Sequence, residues 1–361
     1  MIPYLLMLAV PAVFALSGIS RPRLILLLVV ALYCLMIALR FQVGMDWNNY
    51  LRIYASRHAW PVPRIMAGPE PGFGLLIWAA ATLGGGMILV NAFAGLVFCL
   101  GFFAMARRCN EPLLAVVIAT PLLVVPLAMS GTRQAIACGI IFLLFSNWER
   151  RSTLQRILFV LFASLFHFSA LFVMVFVAVA SNTSRLIRFA GTAVICVLVF
   201  IVISWVPDPI EKYSRLYISG PHAQNAQGAV DQVGLLALAG LIYFALRRRW
   251  IELNGENRLY DYLAAAALAA FPFILISSVG AYRFALYFWP MAMYVFAGVP
   301  ALIQSATGRA LYRLLSVAAS FALLIGWLML ANTSFAWMPY RNWLMNRDVP
   351  LVRRDVHGMT F

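Results

Sequence analysis

Charge is what this sequence has least of. Only 11% of its 361 residues are charged and 64% are hydrophobic, with a mean hydropathy of +0.89, whereas soluble domains carry about a quarter charged residues. That balance excludes a soluble core, and the apolar stretches recur throughout, leaving no room for a separate soluble domain. Acids are scarcer than bases: 12 Asp and Glu stand against 27 Lys and Arg, and Lys212 is the single lysine. Codon bias explains the missing lysine as well as any preference for guanidinium does. The basic residues are scattered in short links, so no nucleic-acid patch forms; such links orient spans and meet anionic lipid headgroups. Cysteine is sparse and irregular. Cys34, Cys99, Cys109, Cys138 and Cys196 show no Cys-x-x-Cys or Cys/His spacing, which argues against structural disulfides and zinc. No paired carboxylates recur at ligand spacing, so neither metal nor cofactor is expected.

What is there is one all-α membrane domain over residues 1–361: a polytopic helix bundle of about ten crossings, with re-entrant or interfacial helices. The first apolar run, Met1–Leu16, has no basic residue before it, while Arg21 and Arg23 follow it. A cleaved signal has the reverse order, so a retained first span with an external N-terminus is expected. Further crossings are expected at Leu24–Leu39, Met87–Ala106, Pro112–Met129, Gln134–Trp148, Gly191–Val206, Val233–Leu246, Tyr260–Ser277, Phe284–Leu302 and Tyr312–Leu330. Arg21/Arg23, Arg107/Arg108, Arg150/Arg151/Arg156, Arg247–Arg249 and Arg309/Arg313 are placed inside. Parity then requires Gly72–Leu83 to lie in the interface or dip back, with Gly84-Gly85-Gly86 as the break. It also requires Ile157–Ala180 to cross an even number of times, as a broken pair turning near His167-Phe168-Ser169. The lack of proline there argues instead for one straight span.

Between Glu111 and Glu149 lie 37 residues with one charge, Arg133. A guanidinium facing lipid costs several kcal/mol, roughly 2.5–3.5 or more, so Arg133 should face protein, water or an anionic ligand. Under the inferred topology, the unusual polar residues gather outside: in loop 42–71, around Arg133, in loop 207–232, near Arg283 and in the tail 332–361. The first loop alternates aromatics with amides and charges, Asp46, Trp47, Tyr50, Tyr54 and Glu70 among them, a composition suited to stacking on sugars. Bland readings stand beside this one. The aromatics also fit interfacial anchors, Glu70 a cap on the helix after Pro71, Asp46 a partner of Arg40 or Arg52, and His167 a hydrogen-bonded interior histidine. Arg283 fits an interfacial anchor, and Tyr213 and Arg215 a loop scaffold. The functional reading gathers several guanidinium forks around one phosphate group, with Arg133 and Arg283 at outer helix starts. Asp46, Glu70 or His167 would accept a proton from an attacking hydroxyl.

At these residues the chain resembles the EpsG family of bacterial exopolysaccharide proteins. Four pieces carry the likeness: Gly44-Met45-Asp46…Tyr50…Tyr54 with Glu70-Pro71-Gly72-Phe73; Arg133-Gln134-Ala135-Ile136-Ala137; Phe166-His167-Phe168-Ser169-Ala170-Leu171; and Arg283 followed by Tyr287. The close Met338-Pro339-Tyr340-Arg341 is similar to the family's ending, and Tyr213…Tyr217 is a fainter echo. The resemblance implies a GT-C-like inner-membrane glycosyltransferase that polymerises oligosaccharide repeat units on undecaprenyl diphosphate, on the outer side. Carried over, Arg133, Arg283 and Arg341 would hold the diphosphate, and Asp46 or His167 would serve as base. Trp47, Tyr50, Tyr54, Glu70, Gln134, Tyr213, Arg215, Tyr282 and Tyr340 would line the substrate site. Chain-length regulators and export proteins would be partners. The tail Asn342–Phe361 departs from the family and is expected to be an external cover or charged contact. A C-type glycosyltransferase using a lipid-phosphate sugar and a flippase of lipid-linked glycans remain the alternatives. A sugar acyltransferase would want a histidine with an acid near it in sequence, which His167 lacks.

Overall fold

A computed structural model describes residues 1–17, 23–180, 228–346 and 348–353. Among the described residues the regular structure is helical, and one isolated antiparallel bridge joins Arg40 and Asn342. The helices are α1 (Ile2–Leu16), α2 (Arg23–Ala38), α3 (Trp47–Arg57), α4 (Val62–Met66), α5 (Pro71–Thr82), α6 (Gly86–Ala106), α7 (Pro112–Ala119) and α8 (Thr132–Phe145). They continue as α9 (Thr153–Ser164), α10 (Met174–Val179), α11 (Ala229–Ala245), α12 (Arg247–Asn254), α13 (Arg258–Phe273), α14 (Ser278–Ala285), α15 (Trp289–Leu302) and α16 (Ala306–Leu330).

Among the described residues, three stretches are long and apolar enough to cross a bilayer: Gly86–Ala106, Ser278–Leu302 and Ala306–Leu330. The pair α11 and α12, bent by 77° at Leu246, is a fourth if counted as one span. Of the ten expected crossings, Gly191–Val206 lies outside the described residues, and others rest on shorter apolar helices, such as Ile2–Leu16 and Thr132–Phe145. At about 1.5 Å per residue these fall short of a hydrocarbon layer of about 30 Å. The apolar surface identifies the solvent. Leu311, Leu314, Leu315, Met329 and Leu330 on α16 are exposed, as are Leu24, Leu27, Leu28 and Leu35 on α2, faces that suit lipid contact.

Two expectations about short segments have structural outcomes. Residues 71–82 form α5, about 18 Å long, which packs on α6 through the turn at Gly84–Gly86. Gly84 and Gly86 both have positive φ, which makes that reversal cheap. In the stretch 157–180 the α-helix ends at Ser164, and a 3-10 turn, Phe168–Val173, resumes after His167 and packs back on α9. It is a broken segment, not a straight span.

The central pair is α6 and α8. Gly101 and Gly139 let their backbones touch: a Cβ on Gly139 would meet Val97 and Phe98, and one on Gly101 would meet Gly139. Asn91 and Thr132 bind one nitrogen of Arg40. The seven-residue step from Thr132 to Gly139 thus matches the step from Asn91 to Phe98, so the helices run parallel in register. Arg133 then lies roughly 9 Å below the N-terminal end of α6, not at its tip.

Between α7 and α8 the chain widens into a π-helix, Thr120–Ala128, holding Pro121 and Pro126. Proline has no N–H to give, so the regular ladder fails there and carbonyls are left over. Arg40, buried at the end of α2, donates from Nη1 to Ala128 O at 2.8 Å and from Nη2 to Asn91 and Thr132 at 3.0 and 2.6 Å. It closes the broken junction and fixes the start of α8. At the other end of the bundle, Arg313 makes a fork to Glu111, and Arg247 to Asp261.

Candidate functional site

Arg133 is the second residue of α8, placed there by the Ser130-Gly131 turn. Gly44 rests against that turn with φ +97, and any Cβ there would collide with Met129 and Ser130. This is a physical reason for glycine at the head of the Gly-Met-Asp motif. Asp46 follows: its Oδ2 accepts the Ser130 hydroxyl, and its own N–H donates to that hydroxyl, both at 3.3 Å. Arg40 does not pair with Asp46; its donors are directed at the π-helix junction. One turn along α3, buried Tyr50 accepts the Arg133 backbone N–H at 3.2 Å, and its ring lies 5.7 Å from the guanidinium carbon.

The Arg133 Nη1 meets the Glu70 carboxylate. Glu70 precedes α5 but makes no cap bond to it; its backbone is left-handed, φ 55 and ψ 61. For a residue that is not glycine, such a conformation costs about 1–3 kcal/mol. The cap reading of Glu70 therefore gives way to an ion pair. Its second oxygen accepts the Phe168 N–H at 3.4 Å and lies 4.0 Å from His167 Nδ1. The α5 start is stitched to the same turn, with Gly72 N–H donating to Leu165 O at 3.0 Å. Tertiary folding thus brings within 4.0 Å of His167 a carboxylate that its local sequence lacks.

His167 Nδ1 accepts the Ser169 N–H at 3.1 Å. A nitrogen that accepts cannot carry the proton, so the proton sits on Nε2 and the ring is neutral. In this arrangement His167 offers a donor to the site, not a free lone pair. Ser169 Oγ is 2.9 Å from Tyr287 OH and 3.5 Å from Gln134 Nε2, which donates to Arg283 O at 2.8 Å. Arg283 itself is in the last turn of α14, which starts at Ser278 under a Ser277 cap. It is therefore more than a turn inside its helix, not at the outer start, because Ser277 begins the helix earlier than the apolar pattern implies. Tyr282 is half-buried beside it, its carbonyl accepting Gln232 Nε2 at 3.1 Å.

Other expected residues lie apart from this cluster. Trp47 is buried with its indole N–H on Leu351 O at 2.8 Å, so its ring is part of the loop's own packing. Tyr54 stacks on His58, with centroids 5.6 Å apart. Tyr340 donates to Met36 O at 2.9 Å, and Arg341 Nη1 holds the Gln42 side chain. Tyr213 and Arg215 fall outside the described residues. Among the described residues, no group of three or more His, Cys, Asp or Glu is placed to hold a metal ion.

Sequence reasoning missed Arg40 as a buried charge, because a lone arginine after a span also reads as an interfacial anchor. It also left open which groups the tail contacts. Arg353 Nη1 donates to the carbonyls of Gln42, Gly44 and Ala336 at 3.4, 3.0 and 3.1 Å. The Arg353 backbone and the Asn48 side chain exchange two bonds of 2.9 and 3.0 Å. The tail is a strap across the loop that carries Asp46 and Tyr50.

Apolar helices around an inward polar cluster, three of them long enough to span a bilayer among the described residues, suit a helical membrane protein. Residues 23–342 match the EpsG family, and the chain belongs to it. Membership points to a polysaccharide-polymerase-like function acting on lipid-linked oligosaccharide. No curated protein and no solved structure matches the chain.

Proposed function

We propose that the chain polymerises undecaprenyl-diphosphate-linked oligosaccharide repeat units into exopolysaccharide at the outer side of the bacterial inner membrane. One observation carries the reading: the four motif pieces, far apart in sequence, meet. Glu70 lies on Arg133, the His167 turn lies on Glu70, and Gln134 ties Ser169 to the backbone of Arg283. The proposed topology has about ten crossings with both termini outside, in a GT-C-like arrangement. Arg133 then sits below the outer end of α6, at a depth a lipid-borne headgroup reaches. Arg133 and Arg283 hold the diphosphate, and the negative charge that grows on the departing lipid diphosphate is stabilised by these fixed donors. Tyr50 and Tyr282 flank the sugar, and the attacking hydroxyl gives its proton to one of the carboxylates, Asp46 or Glu70, near the start of α8. Chain-length regulators and exporters act downstream.

The test is direct. A strain lacking the protein should lose polymer and accumulate single lipid-linked repeat units, and purified protein should join those units in vitro. Purified protein that carries labelled lipid-linked sugar across vesicles yet forms no glycosidic bond would sink the reading in favour of transport.

A further inference from the structure

We infer that Glu70 is the proton acceptor of this reaction, and that it releases Arg133 to the donor's diphosphate when the donor binds. The inference rests on the polymerase reading and deepens it. Three observations carry it. Glu70 is the carboxylate on the Arg133 fork, held in a left-handed backbone and not used as a cap. The fork is not saturated by protein: Glu70 engages Nη1 alone and the Arg133 side chain is 26% exposed, so a phosphate oxygen can reach its remaining donors. The competing bases are otherwise engaged. His167 Nδ1 already accepts the Ser169 N–H, and Asp46 is bound to Ser130, away from any ion pair among the described residues.

Without donor, Glu70 neutralises Arg133. A lipid diphosphate brings more negative charge and matches the fork with two oxygens, so it displaces the carboxylate. Glu70, released from the guanidinium, then has an oxygen open to the incoming hydroxyl. The acceptor sugar's hydroxyl oxygen bonds to the anomeric carbon of the donor. The bond from that carbon to the diphosphate oxygen breaks, and its electron pair leaves with the lipid diphosphate. The hydroxyl proton goes to Glu70. Base activation is thereby tied to donor occupancy, which suppresses proton abstraction in the unloaded site. The Phe168 N–H remains on the carboxylate and keeps it beside the site.

The test uses the full chain in lipid nanodiscs, with undecaprenyl diphosphate as probe and undecaprenyl monophosphate as control. Glu70→Gln should bind the diphosphate about tenfold tighter than wild type, because the competing anion is gone, with a smaller gain for the monophosphate. Its rate of joining repeat units should fall about 100-fold or more, the usual weight of a positioned base. Tighter binding with lost turnover is a split that a merely structural residue would not give. Unchanged or weaker diphosphate binding by Glu70→Gln overturns the exchange, and near-normal turnover overturns the proton role. If Glu70→Gln does not reach the membrane, Glu70→Asp decides. Its shorter arm loosens the hold on Arg133, so tighter binding with some turnover kept is expected, and weaker or unchanged binding again overturns the exchange. If the Gln variant binds tighter but wild type joins no units in vitro, the polymerase reading falls with the proton role, while the exchange of anions stands.

Discussion

Replacing Arg133 by lysine separates charge from shape. The guanidinium lies over Tyr50, pairs with Glu70 through Nη1 alone and is partly exposed, so a planar fork with donors left for a second anion is what lysine cannot reproduce. Lysine keeps the positive charge, still balances Glu70, and should leave folding intact. It loses one charge-assisted hydrogen bond to the diphosphate, about 1.5–3 kcal/mol, which corresponds to roughly a 10- to 100-fold slower turnover. Arg133→Ala removes the donor altogether, and loss of one donor from such a site costs about 10²–10³ in rate. It also strands the Glu70 carboxylate, whose side chain is 11% exposed. An uncompensated buried charge costs up to about 3–5 kcal/mol, and less here because water reaches the Arg133 side chain, which is 26% exposed. The alanine variant should therefore show both a lower Tm and lost activity, whereas the lysine variant should show lost activity alone. The assay is incorporation of labelled repeat units by purified protein in nanodiscs, with Tm followed by tryptophan fluorescence. Full turnover by Arg133→Lys at wild-type Tm refutes the bidentate argument. A lysine variant that is inactive only because it is unfolded refutes the claim that charge suffices for structure.

Other predictions follow from packing and topology. Gly139→Val places methyl groups against the backbone of Val97 and Phe98, so it should destabilise the α6–α8 pair by about 1–3 kcal/mol or more, read as a Tm fall of several degrees; an unchanged Tm would mean the close approach is not required. Arg353→Ala deletes donors to the Gln42, Gly44 and Ala336 carbonyls and should make the tail protease-sensitive and turnover several-fold slower, while unchanged proteolysis would show that the strap does not depend on this side chain. A reporter fused after Arg248 should be active only if it functions in the cytoplasm, and an external signal would overturn the topology.

Much of the architecture was legible because hydropathy is a local property. Long apolar runs, the charge-poor stretch around Arg133 and the Gly84-Gly85-Gly86 break all announce helices and their ends. For 157–180 the sequence left a broken pair and one straight span both open, and the helix end at Ser164 with the turn after His167 decides for the break. Helix starts were read less well. Arg283 was expected at a helix start because the apolar pattern begins after it, yet Ser277 caps the helix earlier through a hydrogen bond that composition does not display. The burial of Arg40 was not legible either, since an arginine just after an apolar run reads equally as an interfacial anchor.

The sequence by itself determined a membrane-bound helical chain, its family and the short list of polar residues able to bind an anionic lipid-linked sugar. Tertiary structure decided which of them meet: Glu70 on Arg133 beside the His167 turn, Trp47 and Arg341 in the loop and strap, and Arg40 beneath the π-helix. The physical reason is range. Hydrophobic periodicity acts over a few residues and survives in any segment read alone. An ion pair between residues 70 and 133 exists only after α5, α8 and the turn behind α9 have packed, and no local pattern records that encounter.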